Sequence, residues 1–563
     1  MSEKRGYFAF VFHSHLPYVL RHGIWPHGAE WLYEAASETY IPLLRVFYDL
    51  LAEGISPKVT LGITPVLGEQ LADPEFKEGL RNYMVSKMEA AEADIREWSE
   101  KGFNGRARVA ERWREFYRSG IEFFESWNSD LIAAIRELYH GGHIEVITSA
   151  ATHGYLPLLK RDESIRAQIR QGIRTHRRLF GRDPVGIWPP ELAYRPAYRW
   201  ATPFGGEPYD RKGLEEFYFE EGLKYFIVDA HLLKGGRAIG TYLSLFEGLR
   251  ALWERFEKEY RELEERERSP HYPYYASSGS EPKPVAFFTR DTQTALQVWS
   301  REWGYPGDPA YLEFHKKHFP GGHRYWRVTD PKADLAEKWD YDPDLVEIPL
   351  NNQSDHFVGL IHGIIASEKA GSKPPVVVAP YDAELFGHWW FEGPRWVYLV
   401  LKKLSLSGEV ESITLGEYLE KFPPEEVLSL PEGSWGEGGF HWVWLNEWTE
   451  WTWKHIYQAE DRILEILKNR PERAYAELLI KELFLLQSSD WQFLITTWSA
   501  RDYAERRFSE HFEDFNRISS IIEKSFRGEK ITAEDLRYLE EIKNRDRLFP
   551  DVDPGDFTTE KAR

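Results

Sequence analysis

The chain has 563 residues, with 71 Lys and Arg against 91 Asp and Glu, a formal net charge of −20 at pH 7. That length accommodates more than one folded unit, and the acidic balance argues against nucleic acid or an anionic membrane as partner, because both are drawn to basic surfaces. The absence of cysteine excludes a disulfide framework, a thiol nucleophile and any thiolate-bound metal.

The N-terminus carries no secretory pattern, since Tyr7–Phe12 is too short an apolar run and lacks a small-residue cleavage site. No stretch of about 18 apolar residues follows. The reading is a cytoplasmic protein, and three Met with 29% charged residues lean toward a heat-adapted source. Seven short apolar or β-branched runs then recur along the chain: Tyr7–Phe12, Val59–Thr64, Ile144–Ser149, Val185–Trp188, Tyr225–Asp229, Val285–Thr289 and Val376–Ala379. Most are apolar throughout, as expected of parallel strands covered on both faces. Helical patterns lie between several of them. In Glu163–Phe180, Ile165, Ile169 and Ile173 recur every four residues and Gly181 follows as a stop.

Reactive side chains follow these runs one after another: His13 and His15, Thr64, Ser149 and His153, Glu191, Asp229 and His231, Arg290, and Asp382. Their spread over so many strand ends predicts the C-terminal face of an α/β barrel; a doubly wound sheet would gather them near one crossover. The expected fold is a (β/α)7 barrel, an incomplete relative of the eight-stranded form, occupying residues 1–425. A charged, helix-patterned interval at about 74–139 reads as an inserted helical subdomain. Gly248–Glu267 reads as a further charged helix and Ser269–Pro284 as turn-rich. After Pro423-Pro424 the pattern becomes mainly helical, giving a C-terminal domain over 426–563. Within it Thr532–Asp535 reads as a capping box, and the acidic segment from Pro550 as a frayed end.

Two carboxylates dominate the chemistry. In Trp188-Pro189-Pro190-Glu191, two prolines fix the backbone as it leaves a strand, and Asp382 stands two residues past Pro380 in Pro380-Tyr381-Asp382-Ala383-Glu384, among aromatics. A surface-loop glutamate is commonly just solvated. Paired carboxylates on two strands of one barrel face, however, are what glycosidic bond cleavage needs, one attacking the anomeric carbon and the other protonating the leaving oxygen. Aromatic surroundings raise a carboxylic acid's pKa and keep it protonated near neutrality. Glu384 is the rival or the support of Asp382. His13-Ser14-His15 reads three ways: hydrogen-bonded strand-end polar residues, metal ligands at a common spacing, or donors to sugar hydroxyls. Aromatics make up 15% of the chain, mostly as core. Trp435, set among glycines, reads instead as a sugar platform, whereas Trp448, Trp451 and His455 share a helix face and read as core. Neither a Walker sequence nor a dinucleotide fingerprint is present.

At 13–17 (HSHLP), 151–159 (ATHGYLPLL), 188–196 (WPPELAYRP), 380–390 (PYDAELFGHWW) and 434–453 (SWGEGGFHWVWLNEWTEWTW), the chain resembles glycoside hydrolase family 57 and, within it, the 1,4-α-glucan branching enzymes of archaea and bacteria. The resemblance spans most of the chain. It implies a retaining double displacement without a cofactor or metal, acting on an α-glucan polysaccharide such as amylose, amylopectin or a glycogen-like polymer in glycogen biosynthesis. By motif, Glu191 resembles the nucleophile and Asp382 the acid/base. His13, His15 and His153 resemble ligands of the sugar at the cleavage point. Arg290, Trp299, Gly307, Trp435 and Trp444 resemble groove positions, and Asp490 resembles a contact from the C-terminal domain. The resemblance further implies a tyrosine on a closing loop, for which 231–284 offers Tyr242, Tyr272, Tyr274 and Tyr275. An α-amylase or 4-α-glucanotransferase on the same machinery is the alternative, followed by a metal-dependent deacetylase or mannosidase-like barrel, for which His13 and His15 lack a third ligand nearby in sequence.

Overall fold

Each apolar run becomes a strand of one parallel barrel in the computed structural model, which describes residues 4–234, 268–300, 304–369 and 371–557. The strands are β1 (Gly6–Ser14), β2 (Val59–Ile63), β3 (Ile144–Ile147), β4 (Gly186–Ile187), β5 (Tyr225–Val228), β6 (Val285–Thr289) and β7 (Val376–Asp382). They are arranged in sequence order: β1 pairs with β2 and β2 with β3, the Thr148–Ile187 bridge joins β3 to β4, and β4–β5–β6 continue in parallel. β7 returns to β1 in a register that sets His13 opposite Asp382. Between β6 and β7 the seam is closed by the backbone bond from Asp291 N to Val378 O and by a short strand, Tyr274–Ala276, antiparallel to β6. The chain is therefore an α/β protein with a (β/α)7 barrel.

Burial explains why these segments become strands. Every residue of β1 is covered, and Phe8, Phe10 and Phe12 pack against Phe357, Phe386 and Trp396 of the surrounding elements. A run buried on both faces has no polar alternation to show. The helix Asp162–Phe180 buries Ile165 and Ile169 and ends at Gly181, whose φ of 73° gives the left-handed cap that a glycine tolerates.

The loops between strands position the rest. Two long helices, Pro74–Glu100 and Asn104–Ser126, pack on each other within the β2-to-β3 connection. After residue 430 come the helices Glu450–Lys468, Arg473–Leu486, Asp490–Thr497, Arg501–Phe526 and Ala533–Arg545. The last begins with the expected box: Asp535 N donates to Thr532 Oγ1 at 3.1 Å and Thr532 N to Asp535 Oδ2 at 3.0 Å. These helices are bonded to the barrel, through Gly154–Ser488 pairing, Tyr457 OH to Leu158 O, and His22 to Asp546.

Ser269–Pro284 is turn-rich as expected, apart from the short strand Tyr274–Ala276 that pairs with β6. One expectation changes: residues 550–557 are docked rather than frayed, since Arg174 binds the Asp556 carboxylate at 2.8 and 2.9 Å and Phe557 is buried. The expected helix Gly248–Glu267 and Tyr242 lie outside the described residues. Tyr274 and Tyr275 pair with Phe287 and Ala286 of β6, and the Tyr274 hydroxyl donates to Ser269 O.

Candidate functional site

Glu191 leaves β4 on a turn that only a locked backbone would hold. Pro189 and Pro190 precede it; Glu191 itself has φ 62° and Leu192 φ 47°. Left-handed non-glycine residues cost of order 1–3 kcal/mol each and gather where function requires them. Here the compensation is a second loop zipped to the first: Tyr194 N to Gly433 O, Gly433 N to Tyr194 O, and Trp435 N to Glu191 O, at 2.8, 3.0 and 3.1 Å. The same loop sends the Trp435 indole N–H to Glu191 Oε2 at 2.9 Å, and Ser489 Oγ donates to Oε1 at 3.2 Å.

Behind Ser489 stands a chain of imidazoles whose direction follows from that one hydroxyl proton. If Ser489 donates to Glu191, it accepts from His153 Nδ1, 2.9 Å away. His153 Nε2 is then an acceptor, and His13 Nε2, at 3.1 Å, is its donor. Both rings are buried, and burial, reinforced by the neighbouring imidazoles, holds both well below the usual histidine range and therefore neutral. His13 lies flat on Trp188, centroids 4.3 Å apart. His153 too has a left-handed backbone, φ 58°. His15 stands on the same side, its Nδ1 3.0 Å from Thr64 Oγ1 and its Nε2 2.9 Å from Asp490 Oδ2.

Asp490 is thus the carboxylate partner that a reading of neighbouring sequence missed, because it lies 475 residues away. Ligand atoms of His15, His153 and Asp490 all fall within 4.8 Å of one another. A metal ion must nevertheless lie in the plane of each imidazole that binds it, about 2.0–2.1 Å from nitrogen. The His15 and His153 rings are stacked face to face, centroids 4.0 Å apart and 22° from parallel, so as they stand one ion does not lie in both planes.

Asp382 ends β7 beside His13. The following loop is gripped by a buried π-helical turn, Ala36–Tyr40, a feature frequent at functional sites. Tyr40 OH donates in a short bond to Glu384 Oε1, which also accepts from His15 N at 3.1 Å. Thr39 Oγ1 accepts from His388 N, and Glu38 accepts from Arg324 at 2.8 Å. Gly387 is required at this contact: its φ is 117°, and a Cβ there would come within 1.8 Å of Glu38 O. Arg290 is buried, pairs with Asp229 at 3.2 Å and lies 5.8 Å from the Trp435 ring.

Burial raises the pKa of both carboxyl groups. Burial pushes Glu191 up to about 7, an effect that the Trp435 hydrogen bond opposes and that nearby Asp382 and Asp490 strengthen. Burial and then the like charge of Glu384 push Asp382 well above the carboxylate range, against Arg290. Glu384, also buried, rises to about 7. The donors on Glu191 stabilise its charged form and suit it to attack, while burial and Glu384 favour the protonated form of Asp382 and suit it to acid catalysis.

The structure therefore brings together Glu191, Asp382, His13, His15, His153, Arg290, Trp435 and Asp490. Trp299 stands at the edge, 6.3 Å from Trp435 and 6.5 Å from Tyr381. Gly307 ends the turn Tyr305–Gly307, whose buried Tyr305 is bonded to His356. Two expectations need correction. Trp444 is 1% exposed and stacked on Tyr155 at 4.5 Å, so it packs the core and offers no face to a groove. Trp435 is 5% exposed and binds Glu191 through its N–H, so it is a holder of the carboxylate rather than an open platform. Ser489, Tyr40 and Thr64 carry contacts that motif reading did not assign. Ser489 adjoins Asp490 in sequence, whereas Tyr40 sits in an ordinary-looking helical stretch with no signal.

The chain is similar to known proteins. The model of glycosyl hydrolase family 57 matches residues 9–431, and that of the 1,4-alpha-glucan branching enzyme C-terminal region matches residues 455–557. A 1,4-alpha-glucan branching enzyme from Thermococcus kodakarensis is 43% identical over 99% of this chain and 79% of its own. The crystal structure of a branching enzyme of the family from Pyrococcus horikoshii superposes with TM-score 0.87 at 37% identity, covering 99% of this chain and 98% of that one. The alpha-amylase AmyC from Thermotoga maritima does so at 0.79 and 25% identity, covering 99% and 100%.

Proposed function

We propose that this chain, which belongs to glycosyl hydrolase family 57, is a retaining 1,4-α-glucan branching enzyme with Glu191 as nucleophile and Asp382 as general acid/base. The observation that carries the reading is the pair of buried carboxyls at two strand ends of the barrel: Glu191, whose charged form is held by Trp435 and Ser489, and Asp382, raised well above its ordinary value by burial and by Glu384. Glu191 Oε attacks the anomeric carbon of an α-1,4-linked glucosyl unit as Asp382 protonates the departing 4-oxygen. A β-linked glucosyl ester on Glu191 results. Asp382, now a carboxylate, takes the proton of an acceptor 6-hydroxyl, whose oxygen displaces Glu191 and restores the α configuration. His13, His15, His153 and Asp490 hold the sugar at the cleavage point, Arg290 faces Asp382, and Trp299 with Gly307 lines the approach.

The similarity of nearly the whole chain to branching enzymes supports the choice of acceptor. Water or a 4-hydroxyl at the same step would make an α-amylase or a 4-α-glucanotransferase, and the likeness to AmyC keeps the amylase in view. Incubation with amylose, isoamylase debranching and chain-length analysis separates them. Branching yields short released chains and an α-1,6 signal in the proton NMR spectrum; linear products alone overturn it. The reading includes a catalytic unit over 1–425, a substrate-groove domain over 426–563 and a cytoplasmic, heat-adapted setting. Among the described residues no helix is long and apolar enough to cross a membrane.

A pH profile follows from the two carboxyls. Because Glu191 must be ionised and its pKa is raised to about 7, activity falls as pH drops below about 7; because Asp382 must be protonated and lies well above its ordinary value, activity persists on the alkaline side. Trp435→Phe removes a hydrogen bond to the charged form of Glu191, of a kind contributing roughly 1.5–3 kcal/mol. The acidic limb of kcat/KM should then move upward by about one to two pH units at 1.36 kcal/mol per unit. A uniform fall in rate with the limb unmoved would make Trp435 merely structural.

A further inference from the structure

Away from the catalytic carboxylates, the long helix Pro74–Glu100 meets the segment that follows β6, and three ligating side chains converge at the contact. Asp94 and Glu97 stand one turn apart on the helix and share a face. His318 comes from a tight loop closed by His318 N to His323 O at 2.7 Å, and Lys87 Nζ ties that loop to the helix through Gly321 O at 2.8 Å. One ligand atom from each of the three residues lies within 4.8 Å of the others. His318 Nε2 is 3.6 Å from Asp94 Oδ1 and 3.4 Å from Glu97 Oε2.

Those separations are long for hydrogen bonds from a ring N–H, but they match the edges of a coordination tetrahedron. With bonds of about 2.1 Å to nitrogen and oxygen, the ligands of a tetrahedral ion stand about 3.4 Å apart; octahedral neighbours at the same bond length stand about 3.0 Å apart. The carboxylate oxygens are sorted to the same end. Asp94 Oδ2 accepts from Tyr325 OH at 2.6 Å and from His323 Nδ1 at 3.0 Å. Its Oδ1, on a side chain 4% exposed, accepts no hydrogen bond from the described residues and points at the centre of the group. Lys101 takes Glu97 Oε1 at 2.6 Å and leaves Oε2 toward His318. Donors that aim one oxygen of a carboxylate and free the other are the outer shell of a metal ligand. The His318 ring is held between Trp98 and Tyr325, centroids 4.6 and 5.8 Å away. Glu97 and His318 are partly exposed, which gives an ion a way in from solvent.

We propose that Asp94, Glu97 and His318 bind a zinc ion, with water as the fourth ligand, that fastens the inserted helices to the segment after β6. One imidazole with two carboxylates is a donor set that Zn²⁺ accepts. The role is structural. Arg324, directly after the loop, binds Glu38 and His388 O in the contact that grips the segment after Asp382, so the ion braces that contact and enters no step of the glucan chemistry. Tag-free enzyme stripped with EDTA and dialysed against zinc should retain one zinc per chain by mass spectrometry. Zinc at a hundred times its dissociation constant should raise the melting midpoint by about 2 °C for a chain of this length. His318→Ala and Glu97→Gln should each lose both the ion and the shift, with helix content by circular dichroism unchanged. Tyr325→Phe, which removes one of the two bonds aiming Asp94, should weaken zinc binding by about 10–100-fold. His315→Ala, an exposed histidine of the same segment, should bind zinc as the wild type does. A wild type that retains no zinc would make the three residues an ordinary ion pair and overturn the proposal. So would zinc that survives His318→Ala and Glu97→Gln but is lost with His15→Ala, which places the ion beside Asp490.

Discussion

Glu191→Ala should lower the turnover of amylose by on the order of 10⁴–10⁶-fold, the scale of losing a covalent nucleophile. The Glu191 carboxylate accepts from Trp435 and Ser489, and no other carboxylate leaves the barrel on the same turn. Loss of the side chain removes the atom that bonds to the sugar while leaving Asp382 and the histidines in place. A small anion can therefore substitute: with α-maltosyl fluoride and sodium azide, Glu191→Ala should form the β-glycosyl azide, because azide enters on the face that Glu191 occupied. An α-azide, or no rescue together with substantial residual turnover of amylose, would remove Glu191 from that role.

Much of this architecture is legible in the sequence because the barrel strands are covered on both faces. A run such as Gly6–Ser14, buried throughout, leaves no ambiguity of face, and His13 and His15 at its end follow the two-residue repeat of an extended chain. Proline punctuation makes Glu191 visible in the same way. What is not legible is whatever depends on distant segments meeting. Asp490 reaches His15, and Ser489 reaches Glu191, across hundreds of residues. A tryptophan among glycines looks like an exposed platform, yet Trp435 turns its N–H to a carboxylate. The glycines serve packing instead: a Cβ on Gly436 would come within 2.6 Å of the Trp444 ring. The π-helical turn at Ala36–Tyr40 is invisible for a related reason, since one extra residue per turn changes which side chains line up without changing composition.

Asp382→Asn should reduce turnover of amylose by about 10²–10⁴-fold, the usual contribution of a positioned general acid and base, yet leave the first step on α-maltosyl fluoride nearly intact, because fluoride departs without a proton. Azide should then trap the intermediate as the α-glycosyl azide, the opposite anomer from that given by Glu191→Ala. Equal loss on both substrates would mean that Asp382 has another task. The surroundings of Asp382 add a finer expectation. Its proton is retained by burial and by Glu384, which itself faces the Tyr40 hydroxyl and the His15 backbone amide, while Arg290 acts in the other direction. Glu384 ionises at about 7, so above neutrality it stands as a second negative charge that discourages Asp382 from losing its proton. Glu384→Gln keeps the shape and removes that charge. The alkaline limb of kcat/KM should accordingly move to lower pH while the acidic limb, set by Glu191, moves less. If Glu384 only braces the loop, the rate falls at every pH and the limb does not move.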